Sequence, residues 1–438
     1  MGDEKGKDPW PELRLLPMGR RIQLEDGHGG TWVGTVVPNH GFTADRILQL
    51  KLANGYNVGL RIGSSARFHV LPDVSRDARA APATPAARRG REGEPWVALL
   101  TTGGTIASRV DYETGGVRPV KGEDEILAFY PELERSGPVR ILPVFDRLSE
   151  DLRPDDWIVL GEKVVTAFKD GAVGVVIAHG TDTLAYTAAA LSFLLVDLPG
   201  PVALVGAQRS PDRPSSDGPS NLQAAVQVAR EAPLGEVVAV MHSGLSDTSF
   251  AIHRGTWVRK MHSSRRDAFE TRNGPLLGKV EGGRVTVAEF GRPRTPGPAR
   301  LDGPIDPRAA LLWFYPGLHP TYAQLLVREL RGIVLAGTGL GHVGADHLEW
   351  IRAATAAGKV VAMTTQCLAG RADPYVYATG RELHHAGVVY LDDLLPETAY
   401  TKMLWALGHS DTPAGVVERL KTPRAGEFLD RHTGGPPT

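Results

Sequence analysis

The chain has 438 residues, 49 Lys+Arg against 50 Asp+Glu, and one cysteine. That length suits two or three domains, and a formal net charge of -1 offers no global basic field for nucleic acid or membrane. Cys367 alone excludes an internal disulfide, and no apolar run approaches the ~20 residues of a membrane span. The N-terminus MGDEKGKDPWPELRL lacks the apolar core of a signal peptide, so a cytoplasmic location without a membrane partner is expected.

Residues 1–71 read as a small β-barrel-like module. RRIQLED, TWVGTVV, RILQLKLANGY and YNVGLRI alternate in part, and Asn54-Gly55 between two such runs signals a hairpin with a type I′ turn. The module holds no cluster of acids, bases or metal ligands, so docking or packing is its expected role. Residues 72–94, PDVSRDARAAPATPAARRGREGE, carry almost no large apolar side chain and read as a solvated linker. Its cluster Arg88-Arg89-Gly90-Arg91 is a tether before it is an RNA contact.

An α/β domain is expected over 95–300. Val97–Leu100 is an apolar strand that runs into Thr101-Thr102-Gly103-Gly104-Thr105, where paired glycines let the backbone approach a ligand or simply turn tightly. No GxGxxG or GxxxxGK[ST] pattern occurs at this turn or elsewhere in 95–300, so dinucleotide and P-loop readings are weak there. RILPVF (140–145) is strand-like, and a helix follows at 155–168.

Val173–Tyr186, VGVVIAHGTDTLAY, organises this domain. Val173 to Ala178 is short, continuous and rich in β-branched residues, as a strand buried on both faces of a parallel sheet should be. The run breaks at Gly180, and Leu184, Ala188, Leu191 and Leu195 then recur at helical spacing. Thr181, Asp182 or Thr183 can cap that helix. In open α/β sheets ligands bind beyond the carboxyl ends of strands, so the same three residues are also a candidate site. VALVGAQRS (202–210) and VVAVMHSG (237–244) repeat the strand-to-polar-turn pattern, with a helix at 220–232 between them. A mostly parallel sheet with several loops on one rim follows.

A second, smaller α/β domain is expected over 301–438. It contains AALLWFYPGL, a helical TYAQLLVREL, strand GIVLAG, helix DHLEWIRAATAAG and strand KVVAMTTQ. The tail holds a helical ETAYTKMLWALG and an end expected to fray. Cys367 follows an apolar run and reads as a buried small residue rather than a nucleophile. His253, His262, His384 and His385 lack metal-ligand spacing and read as surface or packing residues; no metal site is expected.

Threonines at strand ends suggest hydroxyl nucleophile catalysis, which needs a base within hydrogen-bond reach. A lysine in a dry pocket can serve, and residue types alone leave Lys260 and Lys279 both open. TGGTIAS (102–108), HGTDT (179–183), VGAQRSPDRPSSDGPSNL (205–222) and KMHSSRRDAF (260–269) together resemble the asparaginase/glutaminase family with a threonine nucleophile. The resemblance covers Trp96 onward and implies a larger and a smaller α/β domain in an asparaginase-like fold. The β module, the linker, LKLANGYNVG (50–59) and TTQCLAGRADPYVYATGREL (364–383) narrow it to the D subunits of archaeal-type glutamyl-tRNA(Gln) amidotransferases.

The resemblance implies an amidohydrolase that releases ammonia from glutamine and passes it to an E-type subunit. That partner would use ATP and magnesium to activate and amidate the glutamate on Glu-tRNA(Gln); this chain itself would need no cofactor. Thr105 is implied as first nucleophile, with Thr181, Asp182 and Lys260 as hydroxyl, acid and base. Tyr112 is implied as a mobile-loop tyrosine, and Ser149 and Glu150 as contacts for the substrate's α-carboxylate and amine. Glu150 departs from the Ser-Gln pair common in plain asparaginases. Backbone amides around Gly104, Thr105 and Gly180 are implied as an oxyanion hole. A homodimer within a heterotetramer is the implied assembly. A free-standing cytoplasmic L-asparaginase is the alternative, and a non-catalytic amino-acid sensor fits less well because it needs no nucleophile and base.

Overall fold

The computed structural model describes residues 8–37, 46–52, 57–72, 94–103, 108–110, 117–119, 130, 133, 136–209 and 216–429. The N-terminal module has a one-turn helix, α1 (Trp10–Leu13), and strands β1 (Arg21–Glu25), β2 (Thr31–Val36), β3 (Ile47–Leu52), β4 (Asn57–Arg61) and β5 (Arg67–Val70). They form one antiparallel sheet in the order β4-β3-β2-β1-β5. Alternation buries Ile22, Leu24, Leu48 and Leu50 against Leu13 and Ile62. Among the described residues β4 and β5 do not pair with each other, so the sheet is open and not a closed barrel.

The β3–β4 hairpin forms where Asn54-Gly55 signals it, with a different register. Lys51 stands opposite Asn57, whereas a two-residue turn at Asn54-Gly55 would set Lys51 opposite Val58. The turn residues 53–56 and most of the expected linker, 73–93, lie outside the described residues.

The larger unit begins with β6 (Trp96–Thr101), a ribbon β7 (Ser108–Val110) and β8 (Val117–Pro119), and β9 (Val139–Pro143). It continues through α2 (Pro154–Lys169), β10 (Ala172–Ala178), α3 (Leu184–Leu194), β11 (Leu195–Val196), β12 (Val202–Val205), α4 (Gly218–Glu231) and β13 (Val237–His242). Then come β14 (Ser249–Arg254), β15 (Val258–Lys260), β16 (Phe269–Thr271), β17 (Gly278–Glu281), β18 (Arg284–Val287) and β19 (Arg300–Leu301). The main sheet runs β18-β17-β14-β13-β12-β10-β6-β9. The five strands from β13 to β9 are parallel, and β14, β17 and β18 extend that sheet antiparallel.

Continuous apolar runs mark the central strands because both of their faces are covered: β6, β12 and β13 are buried at every position. Helix α4 lies so close that a Cβ on Gly174 would stand 2.0 Å from Ala229 O. Helix α3 is apolar all round because it faces the main sheet and also packs on the second unit, where Phe193 stacks on Trp405.

The smaller unit has a four-stranded parallel sheet, β20 (Ala309–Trp313), β21 (Gly332–Gly337), β22 (Val360–Thr365) and β23 (Val389–Tyr390). Its helices are α5 (Pro320–Val327), α6 (Leu348–Ala356), α7 (Ala378–His385), α8 (Pro396–Gly408) and α9 (Pro413–Lys421). Of the tail, residues 430–438 of the end expected to fray lie outside the described residues. α9 starts where Thr412 Oγ1 accepts from Gly415 N, and beyond it Ala425 and Glu427 are buried. Cys367 is exposed, because it sits past the carboxyl end of β22 where the apolar run has already ended.

Candidate active site

The rim at the carboxyl ends of β6, β10 and β12 is built by close backbone contacts. Thr102 N and Oγ1 both donate to Ala178 O, each at 3.1 Å, which ties β6 to β10 at their ends. Gly103 has φ +97, and a Cβ there would stand 2.4 Å from Arg147 O, so only glycine lets the 144–150 segment fold over the rim. Arg147 then pairs with Asp156, at the start of α2, at 2.9 Å.

That segment delivers Ser149, which is buried, and Glu150, which is exposed. Gly180 packs on Ser149 so tightly that a Cβ would come within 2.8 Å of its Cβ. Thr183 occupies the cap position of α3, yet its hydroxyl donates to Ser149 O at 2.7 Å and caps nothing. The expectation that one of these side chains caps the helix is therefore not met. Other partners claim all three.

Thr181 and Asp182 meet Lys260. Lys260 Nζ lies 2.8 Å from Thr181 Oγ1 and 2.6 Å from Asp182 Oδ1. The lysine side chain is 12% exposed and the carboxylate 67%. An ion pair with one arm in solvent contributes little stability. Its consequence is geometric: the ammonium nitrogen is fixed within proton-transfer distance of a hydroxyl. Lys279, the other candidate, sits on β17 opposite Ala251, within the antiparallel end of the main sheet. Gly206, at the end of β12, backs the threonine, since a Cβ there would reach 2.6 Å from Thr181 Cγ2.

Of the residues expected at the site, the structure gathers Thr181, Asp182 and Lys260 into one contact, and Gly180 and Ser149 into a neighbouring one. Ser149 Oγ is 3.4 Å from Glu150 Oε2, a long contact. Gly104, Thr105 and Tyr112 lie outside the described residues.

Comparison with known proteins gives these contacts a family. The family model described as the GatD N-terminal domain matches residues 16–71. Asparaginase, N-terminal, matches 96–290, and the Glutaminase/Asparaginase C-terminal domain matches 308–419. The D subunit of glutamyl-tRNA(Gln) amidotransferase from Saccharolobus islandicus (strain M.16.27) is 44% identical over 404 residues, 91% of this chain and 90% of the relative. The Sulfolobus acidocaldarius protein of the same name is 41% identical over 94% of this chain and 92% of its own length. The chain belongs to the family of glutamyl-tRNA(Gln) amidotransferase D subunits.

Solved structures agree on the fold of this D-subunit family member. The thermostable L-asparaginase from Thermococcus kodakarensis aligns with TM-score 0.70 and 34% identity, covering 77% of this chain and all of that one. L-asparaginase I from Vibrio cholerae aligns with TM-score 0.66 and 29% identity over 77% of this chain and 99% of its own.

One layer of this D-subunit site escapes sequence reasoning. His179, fully buried, has Nδ1 2.7 Å from Gly180 O and Nε2 2.9 Å from Thr187 Oγ1, and Thr187 Oγ1 accepts from Trp157 Nε1 at 3.1 Å. Burial pushes the imidazole down to about 4, so it is neutral with the proton on Nδ1, aimed at the Gly180 carbonyl. The signal in the sequence is Thr187, one helical turn beyond Thr183, but nothing local ties it to His179. Among the described residues no group of His, Cys, Asp and Glu is placed to hold a metal ion, and no helix is long and apolar enough to cross a membrane.

Proposed function

We propose that this chain is the glutaminase subunit of a glutamyl-tRNA(Gln) amidotransferase, supplying ammonia to an E-type subunit that amidates Glu-tRNA(Gln). The observation that carries this reading is the span of the likeness. The D-subunit relatives match across about nine-tenths of both chains, including the β module, whereas the solved asparaginases account for 77% of this one. The alternative of a free-standing asparaginase leaves the module without a purpose.

In this reading a threonine hydroxyl, from Thr105 or Thr181, adds to the side-chain carboxamide carbon. Lys260, as the free amine, takes the Thr181 hydroxyl proton across the Nζ–Oγ1 contact and becomes the ammonium that Asp182 holds in place. Amide N–H groups around Gly104, Thr105 and Gly180 would face the oxyanion of the tetrahedral intermediate. That proton passes from Lys260 to the departing nitrogen, which leaves as ammonia, and water then adds to the acyl-enzyme and releases glutamate. Ser149 and Glu150 would hold the α-carboxylate and α-ammonium, with Tyr112 closing over the first threonine. The chain needs no metal or organic cofactor for these steps; ATP and magnesium belong to the partner's activation of glutamate. The assembly is a homodimer within a heterotetramer, working in the cytoplasm.

The test is ammonia release from glutamine and from asparagine, by the chain alone and with the E-type subunit and Glu-tRNA(Gln). Weak hydrolysis alone, preference for glutamine, and strong stimulation by the additions are expected. Fast asparagine hydrolysis indifferent to both additions decides for the free-standing enzyme.

A further inference from the structure

The two ends of the Lys260–Thr181 contact ride on different parts of the fold. Thr181 follows β10 in the main sheet. Lys260 ends β15, which among the described residues pairs with β16 alone, outside that sheet. This ribbon and its flanks are sewn to the smaller unit. Thr398 Oγ1 donates to Thr256 O at 2.7 Å, and Trp257 Nε1 donates to Glu427 O at 3.2 Å. Asn273 Nδ2 donates to Asp393 O at 2.6 Å, and Arg272 Nε donates to Leu368 O at 2.7 Å.

The tether nearest the lysine is an ion pair. Arg259 Nε lies 3.2 Å from Glu397 Oε1, with side chains 15% and 9% exposed. Successive strand residues point to opposite faces. Arg259 therefore runs to helix α8 of the smaller unit while Lys260 turns toward Thr181, and holding one fixes the rotation of the other.

The surroundings make this pair demanding. Glu397 is faced by Arg259 from β15 and Tyr186 from α3, whose ring meets Tyr400 of α8 edge-on, and burial pushes the Glu397 carboxyl up while Arg259 opposes that. Arg259 also lies over the Trp313 ring at 5.6 Å. Arg259 Nη1 and Glu397 Oε2 are buried without a partner among the described residues, so removing either side chain leaves further buried polar atoms unpaired.

We propose that Glu397 is a positioning residue for Lys260, acting through Arg259, so that the smaller unit sets the geometry of the base at the main sheet. The inference rests on the reading of Lys260 as that base. It is tested on the full chain with Glu397→Gln, Arg259→Met, the double variant and Lys260→Met. One readout is kcat and KM for glutamine hydrolysis. The other is acylation of Lys260 by an amine reagent relative to Lys279, followed by peptide mass spectrometry, which needs no catalysis.

Glu397→Gln should lower kcat at least about tenfold with KM within about twofold, because a misplaced base costs the transition state more than binding. The Lys260:Lys279 labelling ratio should change at least about twofold, since reactivity follows the lysine's charged neighbours. The double variant should be no worse than the worse single one. Unchanged kcat and labelling, with only a lower melting temperature, would overturn the proposal. Full hydrolysis by Lys260→Met removes Lys260 from the chemistry instead, and the labelling ratio still decides whether Glu397 positions it. Should Glu397→Gln not fold, Thr398→Val removes the Thr256 tether from the same turn of α8. A labelling shift there supports the proposal and an unchanged ratio overturns it.

Discussion

His179 Nδ1 lies 2.7 Å from Gly180 O, and this contact decides which way the imidazole proton points, because a carbonyl oxygen only accepts. With the proton on Nδ1, Nε2 is the acceptor and takes the Thr187 hydroxyl hydrogen at 2.9 Å, while the Thr187 oxygen accepts from Trp157 Nε1. The backbone one residue before Thr181 is thus anchored by a neutral histidine.

Acid should undo that anchor. His179 and His253 are both fully buried, and burial lowers each from 6.5 to about 4. The unfolded chain then binds more protons than the folded one between those values. Stability is present above about pH 6.5 and is lost as pH falls toward 4, by up to about 3 kcal/mol for each histidine. Asp393, lifted by burial to about 6, works in the opposite direction between 6 and its ordinary 3.8. Comparing parent with His253→Gln isolates one histidine. Thermal unfolding from pH 7 to 4.5 should show a shallower loss in the variant, and parallel curves would refute this accounting.

If Lys260 is the base for Thr181, as proposed, removing either should be costly and not additive. Lys260→Met or Thr181→Val should each lower amide hydrolysis by about 10²–10⁴-fold, as expected for a positioned proton acceptor and the hydroxyl it serves. The double variant should fall no further than about threefold below the worse single one, because the two act through one contact. Multiplied losses in the double variant would show two independent roles.

Gly206 should matter to activity more than to folding. A Cβ there would stand 2.6 Å from Thr181 Cγ2 and 3.0 Å from His179 O, so Gly206→Ala must move the threonine. Displacement of reacting groups by about 1 Å costs up to about 10²-fold in rate. Melting temperature and hydrolysis measured together check this. A fully active Gly206→Ala protein would mean that Thr181 is free to shift without consequence.

Much of this architecture is legible locally. The run Val173 to Ala178, the break at Gly180 and the helical spacing from Leu184 follow from backbone period and burial. The antiparallel extension β14-β17-β18 is less legible, because Gly278–Glu281 and Arg284–Val287 are short and half exposed. The choice of Lys260 over Lys279 lies beyond local pattern altogether. Both lysines are strand residues, and only the path of the ribbon turns one toward Thr181. The support from Thr187 and Trp157 to His179 is hidden for the same reason, since three elements contribute one residue each. Before the end expected to fray, Pro413 starts α9 and the following turn closes over Lys402, which local pattern does not announce.

That closure carries the last prediction. Lys402 Nζ lies 2.5 Å from Glu427 Oε1 with both side chains fully buried, and it also donates to Thr422 O at 2.9 Å. Glu427 in turn accepts from the backbone N–H groups of Arg424 and Ala425, so the carboxylate organises the turn that follows α9. Its own carbonyl receives Trp257 Nε1, and Arg254 Nη1 reaches Gly426 O, which ties the tail to the larger unit. Burial pushes Lys402 down, while the Glu427 charge opposes that shift. Breaking a buried pair by removing one partner typically costs about 3–5 kcal/mol, because the other charge is stranded. Lys402→Met should therefore lower the urea midpoint strongly. Lys402→Met with Glu427→Gln should recover about half of the loss, since no charge is then left unpaired. Equal stability of the single and double variants would mean that the hydrogen bonds around the tail, and not the buried charge, hold the two units together.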